Sequence, residues 1–65
     1  MKLYQTRFYD SQGQRLAYTK IGKDWRFVFV SSDGTSDVVG PYYHSKLELL
    51  CDANRYATEF GFTNN

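Results

Sequence analysis

Alternation of apolar and polar residues governs the first forty positions of the chain, and a helical spacing replaces it after position 45. Residues 2–9 (KLYQTRFY) and 15–21 (RLAYTKI) are rich in aromatic and β-branched residues and read as strands. Residues 25–31 (WRFVFVS) predict a third strand, in which Trp25, Phe27 and Phe29 alternate with Arg26, Val28 and Val30. That strand is apolar on both faces, so both need cover. Residues 35–40 (TSDVVG) predict a short fourth strand ending at Pro41, which cannot donate to a ladder and suits an edge. From 46 to 60 the apolar residues Leu49, Leu50, Ala53, Tyr56, Ala57 and Phe60 fall on one stripe of a helix. Ser45 and Glu48 form a capping box at its start. Gly61 stands where a left-handed C-cap is wanted, and Phe62 can fold back onto the last turn. The closing Thr-Asn-Asn reads as a frayed tail.

Strands followed by one helix predict a two-layer α+β domain, an antiparallel three- to four-stranded β-meander packed on a C-terminal α-helix (ββββα). No linker or repeat divides the chain, so residues 1–65 read as one small domain. Taking Asp10–Gly13, Gly22–Asp24 and Asp33–Gly34 as the loops, the last a type I′ turn, sets a trial register. It gathers Tyr4, Phe8, Ala17, Ile21, Trp25, Phe27, Phe29, Val38 and Tyr42 beneath the helix. The opposite, open face collects Leu3, Tyr9, Leu16, Tyr18, Val28, Val30 and Val39 interleaved with Gln5, Arg7, Lys20 and Arg26. A face half apolar and half cationic is unlike the mostly polar outer face of a solvated antiparallel sheet. It spans a few hundred Å², the size of patch that marks an interaction site. The expected partner-binding residues are therefore Arg7, Tyr18, Lys20, Arg26, Val28 and Val30, with aromatic and arginine anchors ringed by aliphatics.

Composition narrows the function classes. A chain 42% hydrophobic and 18% aromatic is too apolar for disorder. At 65 residues it can bury only about 60% of its unfolded surface, so a partner or a second copy would add useful stability. The net charge is +1, but residues 1–26 hold six Lys or Arg against two Asp, and the rest of the chain two against five Asp or Glu. A single cysteine, Cys51, allows no internal disulfide and fits a reducing cytosol. The start of the chain has no signal-peptide core and no run approaches a membrane span, so a cytoplasmic protein with no membrane partner is expected.

Candidate chemistry is sparse. Cys51 and His44 are the one soft nucleophile and the one imidazole, and their positions in and before the helix give no reason for a dyad. No inward carboxylate pair, Gly-rich phosphate loop or metal-ligand spacing appears, so no catalytic residue, metal, cofactor or small-molecule substrate is expected. Arg26–Val30 resembles the aromatic strand of RNA-recognition motifs, without the glycines that precede those aromatics and with one helix in place of two. The junction GPYYHSKLELL resembles that of AP2-type domains, which with integrase arm-binding domains read DNA through a small helix-backed sheet. That resemblance implies a reading face carrying Arg7, Lys20 and Arg26. The function expected first is a non-enzymatic interaction module, an accessory or inhibitor protein of a phage or mobile element, binding a protein partner or itself as a homodimer. Nucleic-acid binding through the same sheet face is the alternative.

Overall fold

Three tight loops set the geometry of the sheet, and each differs by one residue from the loop its sequence suggested. The computed structural model describes residues 2–64. Its first strand, β1 (Tyr4–Tyr9), turns into β2 (Arg15–Ile21) where the Asp10 N–H donates to Gln14 O (2.9 Å) and Gly13 takes φ +86°. Three residues, Ser11 to Gly13, thus form that loop in place of four. Strand β3 (Asp24–Val30) follows after only Gly22 and Lys23, since Asp24 already pairs with Ile21. Strand β4 (Ser36–Tyr43) follows a loop in which the Ser31 N–H donates to Thr35 O and the Gly34 N–H to Ser31 O. Gly34 has positive φ and Asp33 does not, so the expected type I′ turn gives way to a three-residue loop with one left-handed glycine.

The consequence is a pair of exchanged faces. A one-residue change in loop length reverses the side chains of the next strand relative to the last. Two successive reversals cancel, so β1 and β3 keep their expected orientation while β2 and β4 are turned over. Cross-strand pairing puts Tyr4, Tyr18, Phe27 and Val39 in one row on the helix side, and Gln5, Ala17, Val28 and Val38 in one row on the open side. Leu16, Tyr18, Val39 and Tyr43 therefore replace Ala17, Ile21, Val38 and Tyr42 in the core. Strand β4 also runs past Pro41, its expected end, to Tyr43, through a register shift that lies between the Phe27–Val39 and Trp25–Tyr43 pairs.

Helix α1 (Lys46–Glu59) lies across this face with Leu49, Ala53, Tyr56 and Ala57 buried. Phe27, wholly buried, stacks on Tyr56 at 4.3 Å and meets Tyr43 edge-on at 5.5 Å. Both helix ends follow their local signals. Ser45 Oγ accepts from the Glu48 N–H at 3.1 Å. At the other end the Phe62 N–H donates to Ala57 O and the Gly61 N–H to Thr58 O, the paired bonds of a Schellman cap, with Phe62 buried against the core. Leu50 and Phe60, expected in the apolar stripe, stay largely exposed at its margins.

The chain then returns to the sheet. Thr63 and Asn64, expected in a frayed tail, form a two-residue strand β5 antiparallel to β1, opposite Tyr9 and Phe8; Asn65 lies outside the described residues. The strand order is β4-β3-β2-β1-β5, an antiparallel meander closed on one side by the C-terminal segment and followed in sequence by a single helix, an α+β fold. No helix among the described residues is long and apolar enough to cross a membrane.

Candidate interaction face

The face away from the helix is built from the residues alternating with the core. Its middle row is Gln5, Ala17, Val28 and Val38, flanked on one side by Thr19 and Arg26 and on the other by Tyr9, Arg15, Val30 and Ser36. The centre of this face is already closed. Ala17, Val28 and Thr19 are at most 1% exposed, because small side chains in mid-sheet are covered by their longer neighbours. Thr19 gains a partner as well, its hydroxyl donating to Lys2 O at 2.7 Å. What remains accessible is a rim of Ile21, Val38, Tyr9 and Tyr42 with arginines between.

Of the six residues expected to bind a partner, the sheet brings four to this face: Arg7, Arg26, Val28 and Val30. Val28 is fully buried there, so it can support a contact but not make one. Tyr18 lies instead on the helix side, turned there by the three-residue β1–β2 loop, where it stacks on Tyr4 at 5.3 Å and is 7% exposed. Lys20 goes with it, pairing across the ladder with Trp25. In exchange, the turning of β2 delivers Arg15 to this face, opposite Tyr9 and Val30, and not to the end of the core face. A three-residue reading of Asp10–Gly13, with Gly13 in the left-handed region, is the signal that would have found it.

The cations of the molecule divide by how they are engaged. Arg26 Nη2 donates to Gly40 O at 2.7 Å and its guanidinium lies 4.4 Å from the centre of the Tyr42 ring, while its Nε is buried with no partner among the described residues. This arginine fastens the irregular stretch of β4 to the sheet. Arg55 pairs on the helix surface with Asp52 at 2.7 Å and Glu59 at 3.1 Å. Lys2 and Lys46 sit over the Tyr4 ring, each at 5.1 Å. Arg7 and Arg15 make no ion pair among the described residues. Together with Thr6, Phe8 and Tyr9 they line an open depression of about 300 Å³ at the place where β1 and β2 lose register.

Charge is segregated by layer. The open face carries Arg7, Arg15 and Arg26 against Asp24 alone, whereas helix α1 carries Lys46 and Arg55 against Glu48, Asp52 and Glu59. Within the helix network, hydrogen bonds from Arg55 and then Tyr43 hold the Asp52 carboxyl below the usual carboxylate range. Tyr43, whose hydroxyl donates to Asp52 at 2.5 Å, is pushed well above an ordinary phenol, first by burial and then by that bond. Cys51 and His44 are both exposed. Among the described residues no three His, Cys, Asp or Glu side chains converge as a metal site. Comparison with known protein families, curated proteins and solved structures finds no match to this chain.

Proposed function

We propose that this protein is a non-enzymatic interaction module that docks the open face of its sheet on an acidic surface of a larger protein. The observation that carries this reading is the separation of charge between the open face and the helix, with Arg7 and Arg15 making no ion pair among the described residues. Complementary potential steers such encounters and fixes their register. The exposed Tyr42 and Tyr9 supply amphipathic anchors on either side of the closed centre. The same charge argues against a second copy as the occupant, since a two-fold face-to-face pair would set arginines against arginines. An accessory or inhibitor role, of the sort small proteins of phages and mobile elements perform, fits a module of this size.

The test is copurification of tagged protein from its native host, wild type beside the R7E/R15E variant. Both arginines are exposed, so the variant should keep its fold, and an acidic partner captured by the wild type should be lost. A partner retained by the variant sinks the reading. Light scattering over a hundredfold dilution should show a monomer throughout.

Nucleic-acid binding is the second reading, and the arrival of Arg15 beside Arg7 favours it. Two or three phosphate contacts would give weak, salt-dependent binding. Titrating ¹⁵N-labelled protein with short oligonucleotides at low salt decides the point: no shift at Arg7, Arg15 or Tyr9 eliminates it.

A further inference from the structure

Four arginines stand in the chain, and the structure gives two of them internal work. Arg55 is held by Asp52 and Glu59, and Arg26 by the Gly40 carbonyl and the Tyr42 ring. The other two, Arg7 and Arg15, come from adjacent strands to the same depression of about 300 Å³. Two cations line one depression there and have no ion-pair partner among the described residues.

Among the described residues no carboxylate lines the depression. The acidic residue nearest in sequence, Asp10, is folded into its own loop, where its Oδ1 accepts from the Gln12 N–H at 3.0 Å and the Gln14 N–H at 2.8 Å. The depression exists because β1 and β2 pair at Tyr4, Gln5 and Tyr9 but slip register between Gln5 and Tyr9. Thr6 closes that gap from within: its hydroxyl donates to Leu16 O at 2.6 Å and accepts from the Phe8 N–H at 3.2 Å. Its polar group is therefore spent on the backbone, which leaves Arg7, Tyr9 and Arg15 as the lining residues whose side-chain donors have no partner among the described residues.

We propose that this depression binds a phosphate monoester. Charge selects it over other oxyanions: a monoester carries about −1.5 to −2 at pH 7 and offers three acceptor oxygens, matching two guanidiniums. A carboxylate or a phosphodiester, each at −1, would leave one arginine uncompensated. Arginine also presents its N–H groups as a planar fork suited to two oxygens of one phosphate. The site needs no partner protein, so it goes beyond the docking reading.

The experiment is an ¹⁵N amide titration with inorganic phosphate and with phenyl phosphate, against sodium chloride at matched ionic strength. The expected result is saturable shifts centred on Arg7, Tyr9 and Arg15, absent with chloride. R7Q and R15Q should each weaken binding about tenfold, as loss of a hydrogen bond to a charged group does. K23Q removes a charge from the β2–β3 turn and should leave affinity unchanged. Equal weakening by K23Q, or shifts that follow ionic strength alone, would overturn the proposal. So would acetate binding as tightly as phosphate, or a 5′-hydroxyl oligonucleotide, whose phosphates are all diesters, binding more tightly than phenyl phosphate.

Discussion

Replacing Gly40 with alanine probes the junction of sheet and helix at one point. Gly40 has φ +82°, and a Cβ built there would lie 2.9 Å from Tyr56 Oη, 3.1 Å from Cζ and 3.2 Å from Cε2. The tyrosine has nowhere to retreat, because its ring is stacked at 4.3 Å and 9° on the fully buried Phe27. Left-handed backbone for a residue with a Cβ costs about 1–2 kcal/mol, and overpacking a filled core adds about 1–3 kcal/mol. The G40A variant should therefore lose about 2–5 kcal/mol, roughly half of the ~3–10 kcal/mol expected for a domain of this length.

Gly22 supplies the control. It also has positive φ, +62°, but nothing lies within 4 Å of its would-be Cβ. G22A shares the backbone strain and the reduced entropy of the unfolded chain, so both effects cancel in the comparison. Urea unfolding followed by fluorescence of Trp25, the one tryptophan, should put the G40A midpoint well below that of G22A. If the two midpoints coincide, the close approach of β4 to Tyr56 is wrong, and with it the packing of the helix on this edge.

Truncating Phe27 to alanine should cost about 3–5 kcal/mol, enough to unfold most of the population, whereas a loss below about 1 kcal/mol would place that ring outside the core. Asp52 gives a pH signature. Its folded pKa lies below its unfolded one, so its contribution is complete above the ordinary carboxylate pKa and disappears as pH falls through the lower folded value. Wild-type stability should consequently drop more steeply than that of D52N on acidification below about pH 4, and parallel curves would refute the Arg55–Asp52–Tyr43 network. At the alkaline end, Tyr43 and Tyr56, both raised by burial, should ionise last of the six tyrosines in an absorbance titration. The Y43F variant should abolish the latest step.

The helix was readable from the chain because its signals are local. Ser45, Gly61 and Phe62 each act through backbone groups within five residues, and no distant part of the molecule can reassign them. The four strands were readable for the same reason, through alternation and turn residues. Their faces were not, since Leu16 with Tyr18 and Ala17 with Ile21 are both plausible apolar sets, and the choice hangs on loop length. Packing decides it by volume: Tyr18 fills the space beside Tyr4 and Trp25, while Ala17 and Thr19 are small enough to be covered on the outside. Arg7 and Arg26 were legible as residues of the open face, but the fixed role of Arg26 was not. It depends on the Gly40 carbonyl, which lies in the irregular stretch of β4 between the Phe27–Val39 and Trp25–Tyr43 pairs.

The two residues of β5 make the longest-range strand pairing among the described residues, and Thr63 Oγ1 donates to Tyr9 O across 54 positions of sequence. Closing so long a loop is entropically only slightly harder than closing one half its length, by about 0.6 kcal/mol, but so short a segment gains little in return. It should therefore open and close on its own, well below the free energy of global unfolding, and its amide hydrogens should exchange ahead of those of β2 and β3. Each opening would uncover the outer edge of β1 at Phe8 and Tyr9, beside Arg7. Strand β5 thus acts as a removable guard strand, keeping that edge from pairing with other chains.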